Sequence, residues 1–365
     1  MTGSSLQALK DQQQELIRKH ANATDGAGFR HVFVTVVPLA IAWWLAIRGL
    51  AVSYWITAAA TIAITVLLIR VFSLMHDCGH GSLFRSQWLN RAVGFAFGVI
   101  SGMPQYVWSR NHHFHHKTNG NWDQYRGPLT TLSVKEFEAL SPRQQWIYEY
   151  ARNFAFAPLA GFVYLIFNPR VNWVKGNALL LLHMLRGRRP SAFETRYWKT
   201  WKEYRHQSAN NAVLLSLWVL MSWAIGAAPF FTIYLVSISI AGGVGIALFT
   251  VQHNFEHAYA SETTGWDIDE GALAGTSFLV LPGWMNWATA NIGFHHVHHL
   301  SALIPGYSLP QCHAEYEHLF KDVRRITVRE VPYHLTCLLW DSRTRRIISF
   351  REYREQKSAG PPITA

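Results

Sequence analysis

Two segments of this chain carry the pattern His-x-x-His-His: His112-His113-Phe114-His115-His116 and His295-His296-Val297-His298-His299. With 19 histidines in 365 residues, random placement would give roughly 0.05 copies, so two copies ask for a chemical reason. On a helix, positions i, i+3 and i+4 share one face. His112, His115 and His116 therefore aim at one spot, and so do His295, His298 and His299, while His113 and His296 point off that face. Two further pairs sit at i and i+4, His76 with His80 and His253 with His257. The face-sharing positions sum to ten imidazoles. Imidazole is a preferred ligand of iron, copper, zinc and nickel. A structural zinc takes about four ligands and a catalytic zinc about three plus water, so ten fit two ions with about five histidines each. A lone His-x-x-x-His pair is weak evidence, because hydrogen-bonded core histidines give the same spacing. Here four clusters stand against seven scattered histidines, His20, His31, His183, His206, His313, His318 and His334. The nearest carboxylates are Asp77, Asp123, Glu256 and Asp267, expected to accept hydrogen bonds from ring nitrogens and so fix tautomer and orientation.

The elements that must position these groups look membranous. Half the chain is hydrophobic, 14% is aromatic and only 15% is charged, against about 25% in soluble proteins. Apolar stretches run over 32–50, 52–69, 212–230 and 231–250, each near the roughly 20 residues that cross a hydrocarbon core. The pattern predicts an all-α membrane protein with four transmembrane helices in two hairpins and a cytoplasmic helical cap holding a two-metal site. Both hairpin tips lack charge apart from Arg48, whereas Lys10, Arg18, Lys19 and Arg30 precede the first span and Arg186, Arg188, Arg189, Arg196, Lys199, Lys202 and Arg205 precede the third. Arg324, Arg325, Arg343, Arg345, Arg346 and Arg351 follow the last. The positive-inside rule then puts both ends, the middle segment and all four histidine clusters in the cytoplasm. Three shorter apolar runs, 92–103, 154–167 and 273–285, and the run 179–185 are expected as interfacial or re-entrant helices, because one extra crossing would move the next cluster to the far face. The first 30 residues show no basic n-region followed by an apolar core, so no cleavable signal peptide is expected. The net charge of +11 is accounted for by residues flanking spans and facing anionic lipid, which argues against nucleic acid. Cys78, Cys312 and Cys337 form no Cys-x-x-Cys pair, so neither disulfides nor iron–sulfur clusters are supported. A membrane metal transporter would place ionisable ligands at mid-membrane, and these spans carry almost none. The organisation expected is a cytoplasmic segment 1–30, a membrane domain 31–330 and a basic cytoplasmic segment 331–365.

The segments His76-Asp77-Cys78-Gly79-His80-Gly81-Ser82-Leu83-Phe84, Arg110 to His116, and Ile292-Gly293-Phe294-His295 through Ile304-Pro305-Gly306-Tyr307 resemble the three histidine boxes of membrane fatty acid desaturases. Their flanks look most like the acyl-lipid, delta-12 type. The resemblance implies a non-haem di-iron centre that uses O2 and two electrons to introduce a cis double bond into an acyl chain. It also implies an extra histidine between the second and third boxes. His257, before Ala258-Tyr259, matches that ligand, and His253, where stearoyl-CoA enzymes carry asparagine, would ligate directly or through water. Hydroxylation, acetylenation, epoxidation or ketolation of a lipid or carotenoid uses the same boxes. With no His-Pro-Gly-Gly haem motif, a separate donor is implied, a ferredoxin or a cytochrome b5-like protein, and the basic segments would attract an acidic one. The location implied is a multi-pass bacterial inner membrane protein, or an endoplasmic reticulum one in a eukaryote. An unactivated methylene needs a narrow apolar tunnel. Trp284 and Trp287, with Trp266 nearby, are candidates for its mouth.

Overall fold

The structure, a computed structural model, describes residues 3–127 and 130–358. The first and last segments expected from the sequence therefore have their outermost two and seven residues outside the described part. Five long helices open the chain: α1 Gly3–His20, α2 Asp25–Val52, α3 Tyr54–His80, α4 Gln87–Ile100 and α5 Gln105–Thr118. Two compact units are interleaved along it, one made of residues 1–22, 113–157 and 244–365, the other of 23–112 and 158–243.

The second of these units holds the apolar helices. Thr24 caps α2 through its side chain, and the single extended residue Ser53 separates α2 from α3. Thr57 ties the hairpin by donating from Oγ1 to the Ala46 carbonyl at 2.9 Å. The helix α3 does not stop at Ile69 but continues to His80, which places Arg70 inside it, almost fully buried. A buried guanidinium needs acceptors; Arg70 donates to Thr35 Oγ1 at 2.9 Å and to His31 Nδ1 at 2.8 Å, both on α2. Among the described residues, five helical runs are long and apolar enough to cross a membrane: 25–52, 54–80, 154–185, 201–225 and 227–253. Hydropathy alone predicts four. The two short runs 154–167 and 179–185 belong to one continuous helical stretch, interrupted by a π-helical segment at Val163–Phe167 and by Pro169. The run 92–103 corresponds to α4.

The other unit departs from the all-α expectation. Among the described residues it contains five short strands, β1 Leu132–Ser133, β2 Ser277–Val280, β3 Arg324–Thr327, β4 Cys337–Asp341 and β5 Arg346–Ser349. They form a three-stranded sheet in the order β1-β4-β5 and a parallel pair β2-β3. The run 273–285 is thus no interfacial helix: a helix ends at Leu273, β2 follows, and Pro282 caps a new six-residue helix Gly283–Ala288. Strands of two to five residues leave no period to detect. The described parts of the first and last segments pack into this unit. The α1 residues Leu9 and Leu16 are fully buried in a core with Val297, Leu300, Cys312 and Phe320, and Lys10 meets Asp267 at 2.8 Å while Lys19 pairs with Glu315. Strands β4 and β5 place Trp340 and Ile347 in a core with Val251, Phe255 and Ile326.

Candidate metal centre

In the helical unit, α3 delivers His76 and His80 at its last turn. Gly81, in the left-handed region at φ 73°, ends the helix immediately after them. Gly79 lets α5 come close, since a Cβ there would lie 2.4 Å from Ser109 Oγ. The approach brings His112 in, with ring centroids 4.7 Å from His76 and 5.0 Å from His80; His76 and His80 are 4.7 Å apart. Asp77 Oδ1 lies 3.1 Å from His76 Nδ1, the contact expected of a carboxylate that orients an imidazole. Trp108, four residues before His112 and so on its face, stacks on that ring at 4.5 Å. Its indole N–H donates to Tyr164 Oη at 3.0 Å. Trp108 is not among the residues expected from the sequence, although its i−4 spacing from a box histidine is a signal for it.

In the other unit, His115, His253, His295 and His299 are all buried, and one nitrogen from each lies within 4.8 Å of the rest. His253 comes from the last residue of the helix Ala227–His253, and His295 and His299 from the short helix His295–Leu300. His295 Nε2 is 2.9 Å from His253 Nε2, and His115 Nε2 is 3.1 Å from His299 Nε2. His116 Nε2 and His298 Nε2 form a similar contact at 3.1 Å. Two nitrogens held about 2.1 Å from one ion at right angles lie about 3.0 Å apart, so this set fits a shared cation. His253 Nδ1 faces the Gly275 carbonyl at 3.3 Å, which favours the proton on Nδ1 and leaves the Nε2 lone pair free to ligate. Burial, with the neighbouring imidazoles adding, holds His299 well below its ordinary pKa, so it is neutral and ready to ligate at pH 7. The chemistry of this donor set, four buried imidazoles, fits a transition metal.

The remaining expectations divide. His113 is exposed, off the shared face as read. His296 is buried and pairs through Nε2 with His313 Nδ1 at 2.9 Å, among Phe278 and Phe320; His313 had been counted as scattered. His257 is not brought to the tetrad. The helix ends at His253, so i+4 spacing no longer applies, and the His257 side chain is 71% exposed beside Glu256, with Nε2 to Oε1 3.7 Å. Three of the four carboxylates also serve other partners. Asp123 accepts from Thr263 N and Oγ1, both at 2.9 Å. Glu256 pairs with Arg346 and accepts from Tyr333. Asp267 caps the helix Ile268–Leu273 and pairs with Lys10. Each lies close to a box in sequence but beyond the end of its helix. Trp284 and Trp287 are exposed on the helix Gly283–Ala288, whereas the Trp266 indole N–H donates to the Asn119 carbonyl at 2.8 Å.

Comparison with known proteins follows the same lines. The profile of the fatty acid desaturase family matches residues 53–330. A fatty acid desaturase of Bacillus subtilis (strain 168) is 33% identical over 329 residues, 90% of this chain and 87% of the relative. The Delta(12)-fatty-acid desaturase of Arabidopsis thaliana is 25% identical, with 66% of this chain matched to 61% of the relative's length. An sn-1 oleoyl-lipid 12-desaturase of Picosynechococcus sp. is 24% identical, over 76% of this chain and 70% of the relative. With its three histidine boxes inside the matched region, this chain belongs to the fatty acid desaturase family, a family of oxidoreductases.

Proposed function

We propose that this chain introduces a cis double bond into an acyl-lipid at a delta-12-like position, using two iron ions. The observation that carries the reading is the buried set His115, His253, His295 and His299, with nitrogens within 4.8 Å. These four would hold one ion. His76, His80 and His112 would contribute to the second, and His116 and His298, whose Nε2 atoms lie 3.1 Å apart in the other unit, are further candidate ligands. When bound, the pair of ions supplies O2 activation. The electron count follows from the products. Removing two hydrogens from adjacent carbons yields two electrons and two protons, whereas reducing O2 to two waters takes four of each. Two electrons and two protons must therefore come from outside, from a separate carrier protein and from solvent.

The residues of the chain have the other tasks. Asp77 and the Gly275 carbonyl fix imidazole tautomers, Trp108 packs against His112, and burial of the tetrad excludes water that would quench an oxidant. Four spans in two hairpins are supported by a parity argument, and a cytoplasmic metal face by the basic residues that flank the spans. His115 and His253 rings stand 4.5 Å apart, so the chain between them crosses the bilayer an even number of times. Three apolar runs lie between them, 154–185, 201–225 and 227–253. The first, with its π segment, Pro169, Arg170 and Lys175, is the one that does not cross. An acyl tunnel beside Trp284 and Trp287 completes the proposal. Expressing the chain in a host and profiling fatty acid methyl esters tests it: a new double bond in the host's acyl chains is expected, and a hydroxylated or triple-bonded product, or none, would refute it. Metal analysis should return two irons per chain.

A further inference from the structure

The desaturase reading requires two electrons from outside, and the molecule offers a place for them to enter. Between Lys321 and Lys357 ten Lys and Arg face five Asp and Glu. At the β4–β5 turn, Ser342 to Arg345 stand exposed. The turn is fixed by the buried Asp341, which accepts from the Arg343 N–H and the Thr344 hydroxyl, both at 3.0 Å, while Arg345 sits in the left-handed region at φ 54°. Arg343 is 67% exposed with its Nε 3.4 Å from Asp341 Oδ1, and Arg345 meets no carboxylate among the described residues. One residue inside the turn, Trp340 is buried, and its ring stands 5.4 Å from Trp122. Three residues on, the ring of Tyr125 lies 4.6 Å from His115 of the tetrad. A second link runs from the other strand: the Ile347 N–H donates to the Glu256 carbonyl at 2.9 Å, three residues from His253.

We propose that the β4–β5 turn is the docking face for an acidic one-electron carrier protein, and that Trp340, Trp122 and the three residues of chain from it to Tyr125 form the route from that face to the metal centre. The inference rests on the desaturase reading. Each carrier arrives reduced, gives up one electron and leaves oxidised; two such deliveries per double bond supply the two electrons that the acyl chain does not. The two ring pairs and the covalent chain between Trp122 and Tyr125 serve as the matter through which the electron tunnels, and the rings are themselves neither oxidised nor reduced. Positive charge exposed at the turn speeds encounter with an acidic partner and fixes its orientation, and both effects weaken with salt.

The test uses the full-length, iron-loaded protein in lipid nanodiscs and a reduced plant-type [2Fe–2S] ferredoxin, its reoxidation followed by stopped flow. Reversing the turn with Arg343→Glu and Arg345→Glu should raise the carrier's apparent Kd at least about tenfold at low ionic strength, with the difference shrinking as salt is added. Reversing Arg186 and Arg189, which lie in the basic segment before the third apolar run of the sequence, should leave it unchanged. Trp122→Leu should lower the limiting first-order rate with Kd unchanged, and Trp122→Phe should restore most of it, which a merely misfolded variant would not do. The proposal is overturned by an unsaturable reoxidation with the unmodified protein, by a turn reversal without effect, by loss of binding at Arg186 and Arg189 instead, or by a Trp122→Leu rate equal to that of the unmodified protein. A separate single turnover, with the unmodified protein reduced anaerobically by dithionite and then given O2, reports on the desaturase reading itself. Product there with an insensitive turn removes only the docking proposal; no product removes the reading.

Discussion

The two histidines that end the last apolar helix make a discriminating pair. His253 is buried, its Nε2 2.9 Å from that of His295, and its Nδ1 faces the Gly275 carbonyl. His257, four residues later, is 71% exposed. Replacing His253 with Ala removes one of four donors from the tetrad. Loss of a group that only orients a ligand already costs about 10- to 100-fold in metal affinity, so loss of a ligand should cost at least about 100-fold, or about 2.8 kcal/mol at 1.4 kcal/mol per decade. His257→Ala removes an exposed side chain with a weak acidic neighbour, and should stay within about 0.5 kcal/mol, roughly twofold in affinity. The assay is iron per chain, measured by plasma mass spectrometry after equilibration with a graded series of a competing chelator, with thermal melts to confirm that both variants fold. The expected result is a tetrad site emptied in His253→Ala at chelator concentrations that leave His257→Ala loaded. The reverse order, iron lost at His257 and kept at His253, would refute the assignment and return the ligand to the position that the sequence resemblance favoured.

Three further outcomes are expected. Trp284→Ala with Trp287→Ala should shift chain-length or positional preference in the methyl ester profile; an unchanged product pattern at reduced abundance would mean that these exposed indoles only anchor the protein at the interface. Leu16→Ala, which empties a fully buried site between α1 and the core around Val297, should cost about 2–5 kcal/mol, read as a lower melting temperature and protease cleavage near residue 20, and resistance equal to the parent would show that α1 is not docked. Burial holds His296 and His313 below 6.5 in the folded chain, so folding releases protons there. Stability from this neutral pair is complete above about pH 6.5 and is lost as pH falls below it; melting of the metal-free protein should drop between about pH 7.5 and pH 5, less steeply in His313→Phe, and equal slopes would exclude the pair as the cause.

What could be read from the sequence follows the reach of helical periodicity. His112, His115 and His116 lie inside α5, and His295, His298 and His299 inside one short helix, so i, i+3, i+4 arithmetic was enough to identify the shared faces. His76 and His80 lie on the last turn of α3, still within that arithmetic. It failed one turn later. Past His253 the helix gives way to a turn, and His257 and Glu256 swing to the surface although their spacing still reads as helical. Arg70 was missed for the opposite reason: hydropathy ends a span at the first charge, while α3 continues because Thr35 and His31 of α2 accept that charge's hydrogen bonds. Two of the three strand pairings had no local signal, since β1 finds β4 about 200 residues away and β2 pairs with β3 from beyond the third histidine box; only the β4–β5 hairpin is local, and its strands are too short for a period to show.

These misreadings share a cause that bears on the chemistry. A metal centre at the edge of a membrane has to be assembled where apolar helices stop, because ligand-bearing loops cannot stand unsatisfied in lipid. α3 ends at His80 on a left-handed Gly81, and the helix Ala227–His253 ends on a ligand candidate whose Nδ1 meets a loop carbonyl at Gly275. Helix ends leave backbone carbonyls without intrahelical partners, and here one loop carbonyl serves as the acceptor that sets an imidazole tautomer. The same termini are where sequence periodicity loses its meaning. The residues that close the site beyond those ends, Gly275 and the β4–β5 segment hydrogen-bonded to Glu256, are therefore recognisable only once the long-range pairing that brings them there is in view.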